Sequence, residues 1–86
     1  MTVYLVDEPF VDVAVSYASG DDGARIVLIQ DAVYASRTIR APGPVYAIED
    51  DVERRGLRSV LPSTVRAIGY EELVEMMETE KVVNFL

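Results

Sequence analysis

Three carboxylates of this 86-residue chain stand where chemistry on an open sheet would need them. Asp7, Asp31 and Glu49 sit at the ends of apolar runs that read as strands: Thr2–Val6, Arg25–Gln30 and Val45–Ile48. If those strands are parallel, the acids approach one carboxyl edge, and such a cluster could hold Mg²⁺ for hydrolysis. A plainer role competes with this one. Asp is among the preferred helix N-caps, and Glu49 falls in a first helical turn, where the dipole favours an anion. Asp7 is thus expected to cap the helix after the first strand, and Asp31 one that starts at Ala32. Capping makes the fewer demands, and the metal-enzyme reading ranks last of three.

The absent residue types exclude more than the present ones suggest. The chain has neither cysteine nor histidine. Disulfides, persulfide chemistry on this chain, Cys/His zinc sites and histidine-dependent triads are therefore ruled out. No catalytic residue, metal or cofactor is expected. With 15 Asp and Glu against 8 Lys and Arg, the formal net charge is −7. Direct binding to a nucleic-acid backbone requires a basic face and is not expected. Lys81 is the one lysine, and acidity with so little lysine suits either a high-salt cytoplasm or ordinary solubility. No secretory pattern or bilayer-length apolar run is present, and a soluble, cytoplasmic protein without membrane contact is the expectation.

The elements that position these residues follow a β-α period over a single domain, 1–86. Ile26-Val27-Leu28-Ile29 is a continuous apolar run, the mark of a strand buried on both faces in a parallel sheet. Gln30-Asp31 comes next, at a strand-to-helix junction, followed by about two helical turns through Ser36. Phe10, Val13, Ala14 and Tyr17 share one face of the first helix, with Pro9 in its opening turn. Gly20-Asp21-Asp22-Gly23 is a turn and not a phosphate loop, because it precedes a strand. Val65–Ile68 is the fourth strand. Tyr70, Leu73, Val74 and Met77 line the last helix, and Lys81–Leu86 is a final strand-like group able to pair at an edge or with a partner. Four parallel strands in the order 2-1-3-4, with helices on both faces, are predicted.

Glu49 to Leu57 combines acids and arginines in a way that tempts a catalytic reading. Asp50 with Arg54 and Asp51 with Arg55 have i, i+4 spacing, and the acids precede the bases as the helix dipole favours. A solvated helix with good caps explains the cluster better. Gly56 is expected in the left-handed C′ position, which brings Val52 and Leu57 into the Schellman contact.

Two stretches, IVLIQDAVYA at 26–35 and VYAIEDDVERRGL at 45–57, together with Ile68-Gly69-Tyr70-Glu71-Glu72-Leu73-Val74, carry a resemblance in order and spacing. The chain resembles the DsrH/TusB family of the DsrE/F/H superfamily of sulfur-relay proteins. That resemblance implies a small, open, mainly parallel, flavodoxin-like α/β sheet. It also implies assembly with DsrE-like and DsrF-like (TusD/TusC-like) subunits, which pass persulfide sulfur toward 2-thiouridine or serve sulfur oxidation. Three departures are visible: Ala32 replaces a common glycine, Val6-Asp7-Glu8-Pro9 replaces a histidine-containing stretch, and the cysteine of some members is missing.

Two further readings therefore stand ahead of the metal enzyme. The first is a non-catalytic relay subunit that meets partners through Gln30, Asp31, Val33, Tyr34 and Phe85. The second is a self-associating module that binds a small ligand at the carboxyl edge. Half the residues are apolar, much for a domain of this size, which buries only about 60–65% of its unfolded surface. The helix between Asp31 and Gly43 is also too short to cover its share of a two-sided sheet. Both observations predict an oligomer.

Overall fold

The computed structural model describes residues 2–86. Five parallel strands, β1 (Thr2–Val6), β2 (Arg25–Leu28), β3 (Val45–Ile48), β4 (Val65–Ile68) and β5 (Lys81–Phe85), form one sheet. Their connections hold α1 (Val11–Ser19), α2 (Glu49–Arg54) and α3 (Tyr70–Thr79), with 3-10 segments at Gln30–Arg37 and Arg58–Val60. The open α/β class predicted from the apolar runs is the one observed.

The strand order is β4-β3-β2-β1-β5, which corrects the predicted 2-1-3-4. Strand β1 does not separate β2 from β3; it lies between β2 and β5. Lys81–Phe85 pairs with β1 along its full length, from Thr2 opposite Lys81 to Val6 opposite Phe85. This strand-like group thus occupies the edge of β1 that the predicted order assigned to β3. The connection from β2 to β3 holds the long 3-10 segment and joins neighbouring strands.

This order sets the layers. The three crossovers from β1 to β4 all run one way, and right-handedness puts α1, the long 3-10 segment and α2 on one face. Val6, Ala14, Leu28, Val33, Ala47 and Val52 pack there. The return from β4 to β5 runs the opposite way and leaves α3 alone on the other face, over Val3, Val27, Ile48 and Ile68.

Both predicted helix faces are rotated from those observed. In α1 the buried residues are Val11, Ala14 and Ala18, while Val13 and Tyr17 are exposed. The two alanines allow close approach to the sheet, and the helix begins only after a turn in which the Phe10 N–H donates to the Asp7 carbonyl at 3.0 Å. Pro9 lies in that turn, ahead of the helix. In α3, Leu73 and Met76 are buried, and Tyr70, Val74 and Met77 are exposed. The Schellman ending of α2 forms as predicted: Gly56 has φ +63°, Leu57 N–H donates to Val52 at 3.0 Å and Gly56 N–H to Glu53 at 3.1 Å.

Candidate functional site

At the carboxyl edge of β2 the chain leaves the sheet sharply. Ile29 N–H still bonds the Val6 carbonyl at 2.9 Å, but Gln30 takes φ +51°, the left-handed region that L side chains adopt at a cost. Asp51 holds this bend in place. Its Oδ2 accepts the Gln30 N–H at 2.8 Å, and the residue is only 3% exposed. A buried carboxylate needs a counter-charge, and Arg55, one turn further along, supplies it. Arg55 Nη1 lies 3.5 Å from Asp51 Oδ1 and donates to the Asp51 carbonyl at 3.2 Å.

The same guanidinium reaches outward. Its Nε and Nη2 both donate to Asp31 Oδ1, at 3.0 and 2.9 Å, and its carbon lies 6.0 Å from the Tyr34 ring centroid. The hydrogen bond to Asp31 holds the Arg55 pKa above its ordinary value against the opposing effect of burial. Asp51, Arg55 and Asp31 thus run from the core to the surface as a ladder of alternating charge. Its outer end fixes the 3-10 segment that presents Gln30 and Tyr34, both exposed.

Asp31 therefore does not cap a helix. The segment begins at Gln30 without a side-chain cap, and the Asp31 carboxylate is given to Arg55. Asp7 does not cap α1 either; its Oδ1 accepts the neighbouring Glu8 N–H at 2.7 Å. Glu49 lies 3.7 Å from Arg58. Among the described residues, no group of acids is arranged to hold a metal, so the three strand-end carboxylates do not converge. Val33 is fully buried and supports the segment from beneath. Phe85 lies apart, on β5, with its ring 6.1 Å from Tyr4 and 5.6 Å from Tyr17.

The i, i+4 spacing predicts a solvated helix for Asp51 and Arg55, but Asp51 is buried. A signal for it exists: Ile48, Asp51 and Val52 fall at i, i+3 and i+4, so the acid occupies a core-facing position. An open groove of about 910 Å³ adjoins the edge, running from Glu8 and Asp12 near α1 to Asp31, Tyr34, Ile39 and Arg40. Two carboxylates share one guanidinium, so the ladder keeps a net negative charge, and what it offers is positioning of the Gln30–Tyr34 edge and recognition there.

An all-parallel five-stranded sheet with this layering defines a small open α/β domain of the YchN type. The crystal structure of the YchN protein from E. coli superposes with a TM-score of 0.73 at 21% identity, covering 98% of this chain and 97% of that one. Within that class, the model of the DsrH family ("DsrH like protein") matches residues 8–83. Protein TusB of Serratia proteamaculans (strain 568) is 35% identical over 72 residues, spanning 74% of this chain and 73% of that protein. Protein TusB of Cronobacter sakazakii (strain ATCC BAA-894) is 33% identical over 63 residues, spanning 67% and 66%. The chain belongs to the DsrH family. Among its described residues no helix is long and apolar enough to cross a membrane.

Proposed function

We propose that this chain is a non-catalytic subunit of a cytoplasmic sulfur-relay assembly, supporting persulfide transfer toward 2-thiolation of the tRNA wobble uridine. The observation that carries the reading is DsrH-family membership in a sequence without a thiol. In a relay step an acceptor thiolate attacks the outer sulfur of a donor persulfide. The donor leaves as thiolate, and the sulfur moves on as a new persulfide. These 86 residues hold no group for that step, so the cysteine belongs to a DsrE-like or DsrF-like partner. This subunit contributes a shaped surface: the edge at Gln30, Asp31 and Tyr34, held rigid by Asp51 and Arg55. Contact with tRNA falls to other subunits, given the net charge of −7.

The test is to co-express the chain with cysteine-bearing DsrE-like and DsrF-like subunits and supply a cysteine desulfurase with labelled cysteine. Label on the partner's cysteine only, with loading reduced when this chain is omitted, is the expected result. Label bound covalently to this chain, or partner loading indifferent to its presence, overturns the role. The groove beside Tyr34 supports a second reading, a self-associating module that binds a small ligand. That reading gains if the purified chain assembles with itself and takes up no partner.

A further inference from the structure

The face of the sheet opposite the carboxyl-edge ladder carries a single helix. On α3, with 3.6 residues per turn, Leu73 and Met76 mark the line that meets the sheet. Glu72 lies on one flank, where Arg66 of β4 donates to it at 3.0 Å. Tyr70, Val74 and Met77 lie together on the other flank and are 53%, 51% and 41% exposed. The helix runs from the carboxyl end of β4 to the amino end of β5, crossing the sheet obliquely. Its Glu72 flank faces the amino half of β4, so the apolar flank looks toward the carboxyl ends of β1 and β2. Leu5 and Ile29 lie there, half-buried and packed only at the margin of the core under α3. Tyr70, Val74 and Met77 thus form an exposed apolar strip on α3, on the side toward half-buried Leu5 and Ile29.

Charge decides what can cover it. Glu71 and Glu78 follow the apolar flank on the outer side of α3, with Glu75 beyond them toward Glu72; all three are exposed, and none makes an ion pair among the described residues. The helix has no basic residue. A second copy docked by two-fold symmetry would bring these glutamates against their own counterparts, adding to the repulsion of two chains of net charge −7. We infer that this strip is a docking surface and takes a different polypeptide, one with an apolar centre flanked by lysine or arginine. The inference concerns a face other than the Gln30–Tyr34 edge and does not rest on a role in sulfur relay.

The test uses the ¹⁵N-labelled chain and two short amphipathic peptides, one of leucine and lysine and one of leucine and glutamate. The leucine–lysine peptide is expected to shift the amide signals of Leu5, Ile29 and residues 70–77, and the leucine–glutamate peptide to shift none. Val74→Glu, at a solvent-exposed position, is expected to weaken binding about tenfold or more while leaving the rest of the spectrum in place. Tyr34→Ser, on the other surface, leaves it unchanged. Joint replacement of Glu71, Glu75 and Glu78 by Gln is expected to remove most of the salt dependence. Shifts centred on the groove beside Tyr34, equal binding of both peptides, or no binding overturn the inference. So does a homodimer at low salt that Val74→Glu dissolves.

Discussion

Arg55 is the side chain on which the carboxyl edge depends, because it faces a buried carboxylate on one side and an exposed one on the other. The two sides predict unequal costs. Removing the guanidinium by Arg55→Ala leaves Asp51 charged, 3% exposed and without its counter-ion, and is expected to cost about 3 kcal/mol. Asp31→Ala removes only the surface partner, whose side chain is 69% exposed, and is expected to cost less than about 1 kcal/mol. Chemical denaturation of both variants checks the order. Equal losses would mean that Asp51 is not the residue Arg55 serves. Asp51→Asn separates charge from geometry, since the amide oxygen still accepts the Gln30 N–H. Hydrogen exchange at Gln30 is expected to stay slow in Asp51→Asn and to become fast in Asp51→Ala.

Among the elements, the ending of α2 and the docking of β1 are the most exposed to single changes. Gly56 has φ +63°, with open space where a Cβ would stand, so any cost of Gly56→Ala is backbone strain rather than collision. The expected loss is about 1 kcal/mol, read as a shifted denaturation midpoint with an unchanged slope. Because α2 carries both Asp51 and Arg55, fraying of its end should also speed exchange at Gln30. On β1, the Tyr4 hydroxyl donates to Asp21 Oδ2 at 2.8 Å, tying the strand to the turn before β2. Burial, reinforced by that bond, raises the Tyr4 pKa in the folded protein. The unfolded phenol ionises near pH 10, before the folded one does, so this contribution to stability is intact below about pH 10 and declines above it. Tyr4→Phe is expected to flatten that alkaline decline, measured by denaturation between neutral and alkaline pH.

For the whole molecule, the unequal covering of the sheet and the excess of acid act together. One face is covered by α1, α2 and a 3-10 segment, the other by α3 alone, and a parallel sheet is ordinarily covered on both sides. A net charge of −7 disfavours self-association at low ionic strength and favours a more basic partner. Association with the proposed cysteine-bearing subunits is therefore expected to weaken as salt rises through the range where the Debye length falls from about 10 to 3 Å. Sedimentation of the mixed subunits across a salt series checks this. Tightening with salt would point to contacts dominated by apolar burial or by like charge.

The sequence alone determined the α/β class, four of the five strands and the Schellman ending of α2. These depend on short-range patterns: an unbroken Ile26-Val27-Leu28-Ile29, and a glycine one position past a helix. It also determined what chemistry is absent, since no arrangement of these residues supplies a thiol or an imidazole. Family membership was legible from ordered segments spread along the chain. Long-range pairing was not. The place of β5 beside β1 joins residues about eighty positions apart, and once it fills that edge the order 2-1-3-4 is no longer open. The rotation of α1 depended on which side chains are small enough to meet the sheet, and that of α3 on the line along which Leu73 and Met76 cross it; apolar spacing alone decides neither. The ladder from Asp51 through Arg55 to Asp31 had the same origin. Local rules make Asp31 a cap and Asp51 a solvated helix residue. Only the packing of α2 against the 3-10 segment brings a core-facing carboxylate to the Gln30 N–H and spends Arg55 on both acids.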